Sequence, residues 1–519
     1  MTRSLHGGAR SAWCGVKALL GVGVLALLGA CAGPPSAPAG IKAGLGAPLA
    51  AGEFDCGGAV EAATWRLWNA QGRAFLRDQL IGSRLQAQGD TYALYDMQVY
   101  FQNLSAMAQR CQRLDRLVQM AGDLLPVFDQ LEPLPGQPGA LGWVCKGGAV
   151  CNARNKLVNT EVMLVSLQGL GWFSALAQAL ANADDPAART HPFVARAAQA
   201  TAVQLQRWGD DRARTDWRRA AHATPADVKD GSSALFFSDK PLWMIALHAN
   251  LAGTLAAQPG LLATLTRDDR AKLAGGMRDL LAFFKARTTL LPASGPWVGR
   301  ALAADIDRGF WRLHADSRFA GYAGAAPPAL CDGPAGAAKA RLQIDPDKVP
   351  VVPTLGWDFS HARRLVPVLQ ALQGNAQALQ QVYGLAPAAL PPPDLARDFA
   401  AQLVAHVWNG DTAAPLFSNY WDGTNGWYRV AYDVGIGRCQ PGYPPYGLSD
   451  SFTTGGYAVW ASHDAVIGDL ARTLYRQSQA GTPQETAFIR QHYSGLLTPS
   501  VNNRMVTQLM FWPTLVGRD

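Results

Sequence analysis

The sequence has no run of Lys and Arg, no GxxxxGK[ST] loop, no strand-led GxGxxG, no CxxC pair and no paired histidine spacing. The first absence argues against nucleic-acid recognition, which gathers basic side chains in a patch or stripe. The next two remove the loops that cradle nucleotide phosphates. The last two leave a metal centre only isolated histidines to build from, so no cofactor is expected. Strict apolar/polar alternation is scarce and no fixed repeat period appears, which argues against an extended sheet and against a stacked solenoid. Charge is sparse as well: charged residues are 16% of the chain, with a formal balance of +7.

What is present begins with Arg3, Arg10 and Lys17 ahead of a charge-free apolar run, Ala18 to Ala30. That run is shorter than the roughly 20 residues of a membrane-spanning helix and follows a basic segment, the pattern of an export signal over residues 1–30. It ends in Leu28-Gly29-Ala30-Cys31, which resembles the lipobox of bacterial lipoproteins. The resemblance implies lipid on Cys31, attachment to a membrane through that lipid and, because residue 32 is Ala and not Asp, outer-membrane anchoring in the cell envelope. Residues 31–51 are rich in Ala, Gly and Pro and cannot bury a core, so they read as a tether. After it no other stretch is expected to span a membrane. Removing residues 1–30 takes away three basic residues and lowers the formal balance to +4.

Six cysteines remain: Cys56, Cys111, Cys145, Cys151, Cys331 and Cys439. In an oxidising compartment an even number points to disulfides. Cys145 and Cys151 enclose a short loop with two glycines that permit tight closure. Cys56 with Cys111, and Cys331 with Cys439, are then the pairings between nearest neighbours.

Apolar residues recur at helical spacing through most of residues 52–519, which read as one all-α domain. Helices are expected over 60–81, 91–127, 157–183, 190–208, 241–257, 267–288, 298–314, 360–374, 393–408, 454–478 and 484–493. Pro367 should kink or divide the helix it lies in. This count, with loops of unequal length, resembles the (α/α)6 toroid enzymes that process polysaccharides, in which long loops at one rim build a cleft.

Long irregular stretches are expected at 209–240, 291–297, 315–358 and 417–453. The last two end at helices that carry His361 and His463, and histidine titrates near neutrality. Asp464 falls on the apolar stripe of 454–478 beside Tyr457 and Trp460, where burial would raise its pKa as a general acid requires; meeting an Arg or capping a helix is the plainer role. Asp358 and Asp450 are acids or caps by the same reasoning. Tyr420, Trp421, Asp422, Asn425, Trp427, Tyr428, Arg429, Tyr432 and Asp433 put flat rings and polar groups in one glycine-punctuated loop. Those rings suit stacking against sugars, with Trp421, Asp422, Trp427 and His463 as binding residues, or else they pack over the helix ends.

The expected function is therefore a lipid-anchored carbohydrate-active enzyme acting on an envelope glycan. A hydrolase would draw two carboxyls from Asp358, Asp422, Asp433, Asp450 and Asp464. A lyase would use Arg429, Arg363 or Arg364 to neutralise a uronate and Tyr428, His361 or His463 as base. The alternative is a non-catalytic lipoprotein that binds a glycan or a protein partner.

Overall fold

The computed structural model describes residues 52–229, 233–332, 339–433 and 439–517. The export signal, the lipobox at Cys31 and the tether lie outside the described residues. The rest is mainly helical, with four two-stranded antiparallel pairs.

Five long or central helices run Tyr92–Arg110, Met163–Ala181, Asp239–Ala257, Leu365–Gly374 and Val501–Leu515. Each packs on the next in that order as far as Leu365–Gly374, and the short turns Ser451–Thr454 and Tyr457–Ser462 join it to Val501–Leu515, which returns to Tyr92–Arg110. Their composition explains the placement. Met163–Ala181 (MLVSLQGLGWFSALAQALA) is apolar on every face and almost wholly buried, as an inner helix must be. It carries no charge over 19 residues, so the expectation that nothing after the tether reaches the length of a membrane span needs correcting; 83% of its most apolar window is buried in the body, as in a core helix. Flanking helices such as Pro192–Trp208 and Arg267–Arg287 bury one side only. Arg267–Arg287 starts at Thr266, whose hydroxyl accepts from the Asp269 amide while Asp269 takes the Thr266 amide, a closed capping box.

Several expected boundaries move. The 91–127 helix is two, Tyr92–Arg110 and Leu114–Leu124, parted at Cys111 and Gln112, whose φ of 55° ends helical geometry. The 360–374 helix is divided into Phe359–Ala362 and Leu365–Gly374, with the break at Arg363 and Arg364 just ahead of Pro367. Asp211–His222 is helical inside the expected irregular stretch 209–240, and Ala376–Tyr383 and Val501–Leu515 are further helices. The expected helix 298–314 is not one: Leu302–Ile306 pairs antiparallel with Thr288–Pro292, with Asp305 opposite Thr289. The Thr-Thr-Leu-Leu partner strand and the breakers Pro292, Gly295, Pro296 and Gly299 outweigh the helical bias of Ala301-Leu-Ala-Ala.

Among the described residues three disulfides form, Cys56–Cys111, Cys145–Cys151 and Cys331–Cys439. The last ties the 315–358 loop to the 417–453 loop, bringing the two irregular regions together.

Candidate active site

The site starts from a short two-stranded contact between these loops. Asp358 faces Tyr420 across it; the Phe359 amide donates to Asn419 O (2.8 Å) and the Trp421 amide to Trp357 O (2.7 Å). Successive side chains along such a pair point to opposite sides. Asp358 and Tyr420 therefore share one side, while Trp357 and Trp421 go to the other and into the core.

Asp358 is fully buried and caps Phe359–Ala362: Oδ1 accepts from the His361 amide (3.1 Å) and the Ser360 hydroxyl (2.6 Å), and Oδ2 lies 2.6 Å from His361 Nδ1. Burial alone would raise its pKa, but His361, Arg429 and Ser360 outweigh burial and hold the carboxyl below the usual range. An ionised carboxylate only accepts, so His361 Nδ1 is the donor. The Tyr428 hydroxyl lies 3.4 Å from the same nitrogen. Among the described residues no hydrogen bond reaches His361 Nε2.

Tyr428 is fully buried, and burial lifts its phenol far above the ordinary value, keeping the proton on oxygen. Arg429 donates Nε to Asp316 Oδ2 (2.8 Å), its amide to Asp316 O (2.9 Å), and lies over the rings of Tyr428 (5.1 Å) and Tyr432 (4.7 Å). Burial pulls the guanidinium down, but Tyr428 and Asp316 outweigh it and keep the charge. Arg429 and Ala431 hold φ of 51° and 60°, a region L-residues rarely adopt and one that clusters at functional sites.

His314 completes the group; like Asp316 and Trp311, it is not among the residues that the sequence pattern singles out. Its ring stacks on Trp311 (4.8 Å between centroids, 14° between planes), and Trp311 meets His361 edge-on at 5.4 Å. His314 Nδ1 accepts from the Asp316 amide at 3.2 Å, and burial lowers its pKa. With 29% of its side chain exposed, His314 sits at the outer edge of an otherwise buried cluster.

The remaining candidates fall outside this group. Asp450 is separated from it by Tyr443, whose backbone pairs with Tyr428; burial, and then the Asp450 charge, help raise Tyr443 to about 12. Asp464 is not on a helical stripe, because the expected 454–478 helix breaks after Gly456 (φ 84°) and restarts as Ala465–Ala480. Its carboxylate caps that helix on the Val466 amide (3.0 Å), and burial raises its pKa. His463 precedes it, half-buried. Trp421 is fully buried, donates to Ala304 O (3.0 Å) and packs among Phe359, Phe399, Tyr457 and Trp460, leaving no face for a sugar. Trp427 is buried with Phe319 and Val349 and donates to Gly324 O (2.7 Å). The rings thus pack as a cap over the helix ends.

Asp422 holds its own turn, accepting from the Thr424 amide and hydroxyl (both 3.0 Å). It also neighbours a carboxylate hidden by the mistaken helix, Asp305. Fully buried, Asp305 accepts from Arg308 (3.0 Å) and lies against Gly356, where a Cβ would come within 2.3 Å of its Oδ1. Burial first, and the Asp422 charge second, push Asp305 up to about 7. The signal available for it was the β-branched run at Thr288 followed by a Gly-containing loop, which marks a hairpin.

Among the described residues no three His, Cys, Asp or Glu side chains gather to hold a metal ion. Comparison with family models, curated proteins and solved structures returns no match, so the chemistry has to be argued from these residues.

Proposed function

We propose that this chain is a lipid-anchored envelope enzyme that cleaves an acidic glycan by elimination, with Asp358, His361, Tyr428 and Arg429 as its working group. The observation that carries this reading is the Asp358–His361 pair, which fixes the proton on Nδ1 and leaves Nε2 a base. In such a step Nε2 takes the proton from the carbon next to a uronate carboxylate. Positive charge steadies the enolate that forms, the bond from the neighbouring carbon to the glycosidic oxygen breaks, and a double bond closes between the two carbons. The protonated Tyr428 phenol supplies the leaving oxygen with its proton.

The closed order of helix packing, from Tyr92–Arg110 through to Val501–Leu515 and back, supports an (α/α)6-toroid-like body with this cluster at one rim. The lipobox at Cys31 supports attachment to the outer membrane. Hydrolysis is the second reading, favoured by one observation: Asp305 and Asp422 are neighbouring carboxyls both raised above the ordinary range, as an acid catalyst needs.

Incubation of the purified protein with a panel of envelope and extracellular polysaccharides tests this. Absorbance from unsaturated uronates supports elimination, while new reducing ends without that absorbance move the assignment to the Asp305–Asp422 pair. Binding without cleavage of any polymer leaves a non-catalytic glycan-binding lipoprotein. Labelling with a palmitate analogue, lost on Cys31→Ala, tests the anchor.

A further inference from the structure

Beneath His361 the chain breaks between two helices at Arg363 and Arg364, and both guanidiniums turn into the helical body, 6% and 4% exposed. They converge on one phenol: Arg363 Nη2 donates to Tyr95 Oη at 3.1 Å and Arg364 Nη2 to the same oxygen at 3.4 Å. Arg364 also reaches Gln168 Oε1 (3.2 Å) and lies 3.4 Å from Asp239 Oδ2. That is a thin acceptor set for a group with five donors, and Arg364 Nε and Asp239 Oδ2 are both buried without a hydrogen bond. A buried guanidinium left short of acceptors is costly and calls for an explanation.

The surroundings supply one. Tyr95, Gln98 and Gln102 lie three and four residues apart, so the Tyr92–Arg110 helix turns a polar stripe inward where an apolar one would be ordinary. Gln98 Nε2 donates to Gln102 Oε1 (2.5 Å), Gln168 Nε2 to Gln98 Oε1 (2.7 Å), and Arg364 to Gln168, a file of amides leading from half-buried Gln102 to the arginines. Tyr457, stacked on Phe359 at 4.6 Å, feels the charges of Arg363, Arg364 and Asp358 alike, which places the arginine pair next to the Asp358–His361 pair.

We infer that Arg363 and Arg364 form an oxyanion-binding subsite that receives the acidic group of a sugar, with Tyr95 and Gln168 as its polar walls. Guanidinium forks match carboxylate and sulfate oxygens two at a time. Arg429 is bound to Asp316 through Nε, whereas Arg364 keeps its Nε buried without a hydrogen bond and so retains a donor to offer an anion. The assignment rests on the glycan-cleaving reading for its biological meaning, but anion binding is measurable without cleavage. The shared chemistry is an oxyanion, and a uronate carboxylate and a sulfate ester are its two sources.

The test uses the full chain in detergent and calorimetric titration at constant ionic strength with glucuronate, glucose 6-sulfate, inorganic sulfate and glucose. Saturable binding of one or more anionic probes, with none for glucose, is expected; glucuronate above both sulfates marks a uronate site, and the reverse order a sulfate site. Arg364→Gln should weaken the preferred anion about tenfold or more, in line with loss of a charged hydrogen bond, and Arg364→Lys should lie between. His361→Ala should leave anion binding intact. Failure of every anionic probe to bind more tightly than glucose to the unaltered protein, a result that needs no variant to fold, overturns the subsite. So does a folded Arg364→Gln that binds like the parent. If glucuronate binds through Arg364 but no polymer is cut, the subsite stands and the enzyme reading falls; if acidic polymers are cut with no anion binding, the reverse holds.

Discussion

His361 Nδ1 lies 2.6 Å from Asp358 Oδ2, and the same Asp358 carboxylate caps the helix on which His361 rides. One buried group therefore sets both the backbone and the tautomer of the histidine. The Ser360 hydroxyl on the other oxygen fixes the carboxylate plane. This spacing, Asp-Phe-Ser-His, lets a single residue serve as cap and as orienter, so the two functions should separate only partly on mutation.

The first expectation concerns that pair. His361→Ala should cut turnover of an acidic polymer by about 10²–10⁴-fold, the usual range for a general base. Asp358→Asn should also lower turnover, because the amide no longer demands a proton on Nδ1, and should cost stability as well through the buried network. Kinetics on unsaturated product, beside thermal melts of each variant, check this. A His361→Ala protein with unchanged turnover would sink the assignment.

Cys331–Cys439 closes a separation of 108 residues and joins the two loops that carry Asp316, Tyr428 and Arg429. Loop-closure entropy for that length corresponds to about 4–5 kcal/mol in the simplest model, with measured values for disulfides commonly lower. Cys331→Ser with Cys439→Ser should therefore lower the denaturation midpoint and lower activity more than Cys145→Ser with Cys151→Ser, whose loop spans only 6 residues. Chemical denaturation of the two double variants decides the order.

Trp421 gives a contrast with Trp297. Trp421 is fully buried among aromatic neighbours and donates its indole proton to Ala304 O; Trp421→Ala should cost about 3–5 kcal/mol, as large aromatic truncations in cores do. Trp297 is 44% exposed on the hairpin loop, touching Trp408 edge-on at 5.8 Å. Trp297→Ala should change stability by less than about 1 kcal/mol. Urea titrations of both variants check the difference, and similar losses would contradict the burial described for Trp421.

These contrasts show which features composition and spacing carry. Asp358 and His361 were legible because capping and short spacing are local properties, and the cysteine pairings because nearest neighbours in the chain are also neighbours in space. The count of rings near Trp421 was legible, but not the face they turn, since burial depends on the Phe359, Phe399 and Tyr457 side chains brought from distant segments. Asp464 was misplaced because a helical wheel assumes an unbroken helix, and Gly456 breaks it. Asp305 was missed because pairing with Thr288–Pro292 decides its segment against local propensity, a non-local effect that a window of residues does not contain.

The last expectation follows from Asp305 and its neighbour Asp307. Burial first, and Asp422 second, push Asp305 up to about 7; burial also pushes Asp307 up to about 7 against the opposing effect of Arg287, 3.5 Å away. An unfolded aspartate titrates near 3.9. Between about pH 4 and 7 the folded protein thus holds protons that the unfolded chain has released, so stability is highest below that window and falls as pH rises through it. Glu61, held at about 2 chiefly by Arg113, has the opposite sign, but its contribution is lost only as pH falls from about 4.5 towards 2. The two effects therefore occupy different windows. Asp305→Asn abolishes one of the titrations, so the variant should resemble the parent near pH 4 and gain on it steadily until about pH 7, above which the difference levels off. At 1.36 kcal/mol per pKa unit the relative gain is on the order of 1–4 kcal/mol. Melting curves of parent and variant at pH 5, 6, 7 and 8 measure it. Parallel curves across that range would mean that Asp305 is ionised throughout, and would remove the acid that the hydrolytic reading needs.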